Sequence, residues 1–464
     1  MTRISEAAVA LGWLRGEIAV VGLARSGLAV GTLLARTGAE VYASDAGTSP
    51  AIQAAAATLR GNSVAVDVGR HDLERIGRAS LVVASPGVPP DAPPLTAARA
   101  AGVPVVSEVE VALRFLPALR YIAITGTNGK TTTTALIAHL LRALGLRAEA
   151  AGNIGRPLSE IALSPEAAPW VALEISSFQL HDTPGIAPVV GVLTNLSANH
   201  LDRYGNVNAY YADKALLFRN ASAASAWVAN ADDDEARELS EYAAGIHTDF
   251  SVVGRADAHY DRALDRLMVL GEPLIARGEL QLIGDHNVAN ALAATLAVTL
   301  ADSAHRTPLS VAALARGLRT FNALEHRIEP AADVGGVAWI NDSKSTNVAS
   351  TLVALRGMTR PTVLLLGGRH KGEPYTALAD EIRRAVKRVI AFGEAAPLIQ
   401  ADLTKFAPVT VVPAGSSFEE VVAAARAVAE PGDVVLLSPA CSSYDMFDNY
   451  EQRGREFKRL AVAS

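Results

Sequence analysis

The sequence predicts an α/β protein built as three domains. Three observations carry that expectation. The 464 residues suffice for about three domains of ordinary size. Short apolar runs alternate with helix-like stretches along the chain, the pattern of parallel sheets. Glycine-rich turns stand where several of those runs end, at the edge where α/β sheets bind ligands. A composition of 50% hydrophobic and 19% charged residues excludes a disordered chain.

The first unit opens with the apolar run Ile18–Val21, the turn Gly22–Gly27 and a helix-like stretch Leu28–Thr37 that Gly38 stops. Val41–Ser44 reads as a second strand ending at Asp45, Leu81–Ala84 as another running into Ser85-Pro86-Gly87, and Val103–Val106 as the last. The middle unit begins with a strand at Tyr121–Ile124, a loop at Thr125–Lys130 and a helix from Thr131 through Leu144. Trp170–Ile175, Val189–Thr194 and Trp227–Ala229 continue the strands, and residues 246–283 read as a turn-broken inserted or edge sheet. Val337–Ile340, Thr362–Leu366, Val389–Phe392, Val409–Val412 and Val434–Leu437 are the strands of the third unit. The domains are accordingly placed at 1–120, 121–327 and 328–464.

With 42 basic and 48 acidic residues the net charge is −6, which gives no electrostatic ground for a nucleic-acid partner. The alanine- and valine-rich stretches are broken before they reach membrane-span length, and the N-terminal stretch lacks the h-region of a signal peptide. Cys441 is the single cysteine, so no intrachain disulfide or cysteine metal cluster is available. The expectation is a cytoplasmic protein without stable membrane insertion. Cys441 itself reads as a packed small residue rather than a nucleophile.

Gly126-Thr127-Asn128-Gly129-Lys130-Thr131-Thr132 is the strongest chemical signal. It stands between an apolar run and a helix, where glycines permit close backbone approach, amides cradle phosphate and a lysine neutralises it. Thr131 is the expected hydroxyl ligand of Mg²⁺. An ordinary turn before a capped helix is the plainer alternative, and the lysine with its hydroxyls in this setting argues against it. ATP is favoured over NAD. Glu174, at the end of Trp170-Val171-Ala172-Leu173, either caps the next helix or supplies oxygen to Mg²⁺; beside Lys130 the metal role is preferred. His200 and Asp202 add polar groups beyond the next strand, and on physics alone His200 is a weaker metal ligand. Asp232, Asp233 and Asp234 read as a solvated turn rather than a metal cluster. Gly22-x-x-x-x-Gly27 departs from the dinucleotide fingerprint, while Asp45 at a strand end marks a ligand site of unspecified chemistry.

Taken together, the motifs resemble the Mur ligase family in its glutamate-adding branch. The resemblance covers nearly the whole chain. It rests on Gly126–Thr132, Glu174–Leu180, Asn199–Tyr204, Gly284–Asn287, His326-Arg327 and Asn341–Asn347, with Leu437–Phe447 the most specific to glutamate addition. It implies a Rossmann-like N-terminal domain for the UDP-linked acceptor, a P-loop ATPase-like central domain for ATP, and a Rossmann-like C-terminal domain for the amino acid. The implied reaction joins D-glutamate to UDP-N-acetylmuramoyl-L-alanine at the expense of ATP, through an acyl phosphate, in peptidoglycan synthesis.

The resemblance also implies site residues. Leu23, Ala24, Arg25 and Ser26 match the diphosphate loop, Asp45 and Ala46 the uracil side, Ser85, Pro86 and Gly87 a further nucleotide-facing loop, and Asn153 an acceptor contact. Lys130 and Thr131 match contacts to ATP phosphates and Mg²⁺, with Glu174 and His200 as metal ligands. Lys214 matches a lysine that CO₂ converts to a carbamate, an oxygen ligand that helps organise a second Mg²⁺. His286, Asn287, Asn290, Arg327, Asp342 and Lys344 match nucleotide-facing positions. Thr346, Lys371, Ser443 and Tyr450 match the glutamate region, where Tyr450 adds a hydroxyl to a position commonly filled by phenylalanine. Other Mur ligases and folylpolyglutamate synthases are the enzyme alternatives. The Ser438-Pro439 context argues against the former and the long first domain against the latter. A non-catalytic nucleotide-binding regulator is the remaining alternative; Lys130, Glu174, His200 and Lys214 argue against it.

Overall fold

The computed structural model describes residues 16–153, 155–198 and 203–462. Its described residues form three sheets and group into two compact units. One unit holds the chain to Glu279 together with Ala289–Arg319; the other holds Leu280–Val288 and the chain from Thr320.

Within the first unit, the first sheet has five parallel strands: Ile18–Val21, Val41–Asp45, Ala65–Val68, Leu81–Ala84 and Val105–Ser107. They lie in the order third, second, first, fourth, fifth. Ile18–Val21 and Leu81–Ala84 are apolar at every position because helices cover both sheet faces. Leu33, Leu34 and Leu59 pack on one face, and Ile76, Leu95 and Ala98 on the other.

The second sheet has nine strands. Ala148–Gly152, Trp170–Glu174, Arg120–Thr125, Val190–Leu193, Ala226–Asn230 and Ile246–Ser251 lie side by side and parallel. Ala258–Asp261 joins in parallel, and Arg266–Val269 and Glu272–Ala276 complete the sheet as an antiparallel edge. The turn-broken stretch is thus an edge extension of the central sheet. Three strands fall outside the apolar runs of the sequence: Ala65–Val68 reads AVDV, Ala148–Gly152 reads AEAAG and, in the second unit, Glu329–Val334 reads EPAADV. Each is an end strand of its sheet, so none needs a continuous apolar run. The helix after the first glycine turn begins at Arg25, a turn earlier than the apolar pattern indicates, and the one after the phosphate loop at Lys130.

In the second unit, six strands lie in the order Glu329–Val334, Val337–Asn341, Val434–Leu437, Thr362–Gly367, Val386–Phe392 and Val409–Val411. Only the first pair is antiparallel. The loops that follow Val337–Asn341, Val434–Leu437 and Thr362–Gly367 therefore leave from neighbouring C-terminal strand ends.

Candidate active site

Strand Arg120–Thr125 lies between Trp170–Glu174 and Val190–Leu193, all parallel, so their C-terminal ends meet at one edge. Register pairs Ile124 with Glu174, and Gly152 with Glu174 on the other side. The edge therefore gathers the phosphate loop, Asn153, Glu174 and Thr194. Two glycines shape the loop. Gly126 has φ 139° and Gly129 φ 82°; a Cβ would collide with Thr194 Oγ1 at the first and with Asn290 Oδ1 at the second. Asn195 clamps the loop from behind. Its carbonyl accepts the Thr127 N–H at 2.8 Å, its Oδ1 accepts the Asn128 N–H at 2.9 Å, and its Nδ2 donates to the Asn128 carbonyl at 3.0 Å. Thr133 Oγ1 donates to Asn290 Oδ1 at 3.2 Å, fixing Asn290 beside Gly129.

Helix Lys130–Ala143 has Gly129 as its N-cap, which makes no side-chain cap hydrogen bond. The first amides and the Lys130 ammonium make this helix end suited to phosphate. Lys130 Nζ donates to the carbonyls of Gly126 and Thr127, both at 2.8 Å. Thr131 is half-buried and Thr132 buried, at the next two positions of the helix. Lys214 Nζ shares the Gly126 carbonyl at 2.8 Å. Lys214 is only 1% exposed, on helix Val207–Ala215, with its Nζ 4.6 Å from the centre of the Tyr210 ring. Burial, and then the charge of Lys130, hold its pKa well below the usual lysine value. That favours the neutral amine.

Glu174 is also 1% exposed. Its Oε1 accepts from Asn153 Nδ2 at 3.1 Å, while Oε2 has no hydrogen-bond partner among the described residues. A buried oxygen left in that state costs about 1–3 kcal/mol, and a carboxylate oxygen of this kind fits a hard cation. The capping alternative fails, because Ser176 and Gln179 form the capping box of helix Ser177–His181. His200 lies outside the described residues. Asp232 and Asp233 are engaged in the fold: Asp233 accepts the Leu196 and Ala236 N–H groups, and Asp232 accepts from Ser251 Oγ and the Val252 N–H.

The first sheet ends in a second polar edge. Helix Arg25–Ala35 begins without a side-chain cap at Ala24, leaving its first amides for an anion. Asp45 braces the loop in front of it, accepting the Leu23 and Gly47 N–H groups at 2.7 Å each. Ser85 Oγ donates to the Gly22 carbonyl at 2.8 Å. Arg25 pairs with Glu160 at 3.0 Å and donates to the Gly155 carbonyl at 2.9 Å. Leu23 is buried, whereas Ala24, Ala46 and Gly87 are exposed and Ser26 and Pro86 half-buried. A cavity of about 290 Å³ runs between Ser85 and Pro86 on one side and Phe178, Tyr204 and Asp213 on the other. Its far wall holds the helix of Lys214 in place: Asp213 accepts from Tyr204 Oη at 2.9 Å and meets His181 Nδ1 at 2.8 Å.

In the second unit, Asp342 is buried, accepting Ser438 Oγ at 2.7 Å and the Ile328 N–H at 3.2 Å. Burial pushes its pKa up to about 6. Lys344 Nζ donates to Tyr450 Oη at 3.0 Å, so the extra hydroxyl orients this lysine. Lys371 is exposed, with Nζ 3.3 Å from Thr346 Oγ1, and Ser443 is buried. Asn287 Nδ2 donates to the Ile283 carbonyl, His286 lies against Gly284, and Arg327 is half-buried. Cys441 is buried, with its thiol pushed up to about 11 by burial, as a packed residue requires.

Residues 16–107 match the Mur ligase MurD-like N-terminal domain, 124–298 the Mur ligase middle domain, and 326–441 the Mur ligase glutamate ligase domain. A UDP-N-acetylmuramoylalanine–D-glutamate ligase of Acidobacterium capsulatum is 39% identical over 457 residues, covering 97% of both chains. The chain belongs to the Mur ligase family. A second ligase of the same name, from Anaeromyxobacter dehalogenans, is 42% identical over 468 residues, covering 96% of this chain and 97% of its own. A crystal structure of UDP-N-acetylmuramate–alanine ligase from Thermotoga maritima shares the fold, with a TM-score of 0.58 at 20% identity across 96% of this chain and 99% of that one.

In this Mur ligase the sequence motifs do not single out the residues that stiffen the site. Thr194, which donates to the Asn128 carbonyl at 2.6 Å, and Asp213 act through bonds made across the fold. The only local signals for them are a hydroxyl just past a strand end and an acid next to Lys214. Among the described residues no helix is long and apolar enough to cross a membrane.

Proposed function

We propose that this chain joins D-glutamate to UDP-N-acetylmuramoyl-L-alanine, converting ATP to ADP and phosphate, as a cytoplasmic step of peptidoglycan precursor synthesis. The observation that carries the reading is the strand edge where the Lys130 loop, neutral-leaning Lys214 and a Glu174 oxygen without a partner among the described residues converge. The full-length likeness to D-glutamate ligases supports the choice of substrates. In this reading residues 1–120 serve the acceptor, 121–327 ATP and 328–464 the amino acid.

The open end of helix Arg25–Ala35, with Leu23, Ala24, Arg25 and Ser26, takes the acceptor diphosphate. Asp45 and Ala46 flank the uracil, Ser85, Pro86 and Gly87 border the nucleotide, and Asn153 contacts the acceptor. Gly126–Thr132 cradle the ATP phosphates, and Lys130 neutralises charge on the phosphoryl group in transit. His286, Asn287, Asn290, Arg327, Asp342 and Lys344 serve the nucleotide. Thr131, Glu174, His200 and a carbamylated Lys214 would hold Mg²⁺, two ions in this reading, which when bound neutralises phosphate oxygens. Depressed basicity suits Lys214 to that modification, since only the neutral amine adds to CO₂.

The acceptor carboxylate attacks the γ-phosphorus and ADP leaves, giving an acyl phosphate. The glutamate amine then attacks the acyl carbon, and the tetrahedral adduct expels phosphate. Lys371 and Ser443 bind the glutamate carboxylates, with Thr346 and Tyr450 beside them. The test is mass spectrometry of products from UDP-N-acetylmuramoyl-L-alanine and ATP with D-glutamate, L-glutamate or other amino acids. Dominant D-glutamyl product is expected; preferred ligation of L-glutamate or use of a different acceptor would overturn the assignment.

A further inference from the structure

Arg453 is among the largest fully buried side chains, only 1% exposed, yet it is a cation. It projects from helix Tyr450–Val462. Nε donates to Ser343 Oγ at 3.0 Å, and Nη2 donates to the Ser343 carbonyl at 2.8 Å and the Cys441 carbonyl at 3.2 Å. Nη1 reaches the same Cys441 carbonyl at 3.3 Å. Nη1 also lies against Gly368, where a Cβ would stand 3.3 Å away. These bonds go to two carbonyls and one hydroxyl, none to a carboxylate.

Ser343, Gly368 and Cys441 sit at the starts of the loops that leave three neighbouring strands, Val337–Asn341, Thr362–Gly367 and Val434–Leu437. The first loop carries Lys344 and Thr346, the second Lys371 and the third Ser443. One guanidinium therefore hydrogen-bonds the bases of the first and third loops and faces the base of the second. A buried cation is costly unless it is compensated, and carbonyl oxygens compensate without cancelling its charge.

We infer that Arg453 is the positioning residue of the amino-acid site, fixing the three loops in register so that Lys371, Thr346 and Ser443 meet the substrate carboxylates together. This rests on the proposed reading of that site as the glutamate site. The planar fork is what does it. A lysine keeps the charge but cannot reach Ser343 and Cys441 with the same geometry.

The test is steady-state kinetics of the full-length enzyme with each substrate varied in turn. R453K should raise the KM for D-glutamate at least tenfold and the KM for ATP, whose proposed site shares Lys344 on the first loop, by a smaller factor, while leaving the KM for the UDP-linked acceptor within threefold. S343A, which removes the Nε acceptor together with the hydroxyl's own bond to the Tyr450 carbonyl at 2.8 Å, should raise the D-glutamate KM two- to fivefold and decides the matter if R453K does not fold. A D-glutamate KM within twofold of wild type in folded R453K overturns the inference. So does a parallel rise in all three KM values, the mark of general loosening. Where R453K does not fold, the same two outcomes in S343A overturn it, with a limit of 1.5-fold. Wild-type enzyme that turns over normally while the variant is unchanged refutes the inference alone. Wild-type enzyme that ligates no D-glutamate refutes the functional reading and the inference with it.

Discussion

Replacing Gly129 by alanine perturbs the phosphate loop in a way the structure makes quantitative. Gly129 has φ 82°, a conformation that costs an L-residue about 1–2 kcal/mol. The new methyl would also collide with Asn290 Oδ1. Displacing Asn290 breaks its bond with Thr133, a further loss of about 0.5–1.5 kcal/mol. The total, about 1.5–3.5 kcal/mol, has two places to go. If the loop keeps its shape, the protein is destabilised by that amount. If the loop relaxes, its amides turn from the phosphates and ATP binding weakens by about 10- to 300-fold, at about 1.4 kcal/mol per tenfold. Urea unfolding and ATP titration by calorimetry, performed on the same G129A sample, read both shares, and their sum should return about 1.5–3.5 kcal/mol. Gly61 ends a helix with an ordinary φ and nothing within 4 Å of an added Cβ, so G61A is the control, with changes below about 0.5 kcal/mol. G129A with wild-type stability and wild-type ATP affinity would refute the account of the loop.

Further outcomes follow from the same geometry. K130A should lose at least about a hundredfold in ligation, the scale of one electrostatic contact to a transition state, while UDP affinity stays within about threefold by calorimetry; near-normal ligation by folded K130A would reject the phosphate role. Lys214 should give a carbamate resonance in ¹³C NMR of enzyme supplied with ¹³CO₂ and Mg²⁺. K214A should lack that signal and ligate poorly, with acetate restoring part of the rate; wild-type enzyme without the signal would remove the carbamate from the site. Asp342, raised from 3.8 to about 6 by burial, binds its proton more tightly when folded, so its contribution to stability falls as pH rises through that window. Relative to D342N, wild type should lose on the order of 3 kcal/mol between pH 3.5 and pH 7, because each tenfold gain in proton affinity on folding is worth about 1.4 kcal/mol. Parallel pH profiles in urea unfolding would contradict the burial argument.

The phosphate loop was legible because its glycines, lysine and hydroxyls occur between an apolar run and a helix, and the fold brings Glu174 beside it by strand register. Fully buried strands were legible for the same reason, as unbroken apolar runs. The edge strands Ala65–Val68 and Ala148–Gly152 were not, since partial exposure admits acids and small residues. Lys214 looks like any helix lysine in sequence. Its burial and its shared carbonyl with Lys130 arise from tertiary packing, and only the family resemblance singled it out. Arg453 is harder still: an arginine in the charged helix Tyr450–Val462 reads as solvated until three loops from distant parts of the chain close over it.

In the proposed reaction, phosphoryl transfer at the Lys130 loop activates the acceptor carboxylate. Acceptor labelled with ¹⁸O in that carboxylate tests it directly. Complete turnover with ATP and D-glutamate should deliver one ¹⁸O per product into inorganic phosphate, read by the isotope shift in ³¹P NMR. Phosphate free of label, or label appearing in AMP, would contradict it.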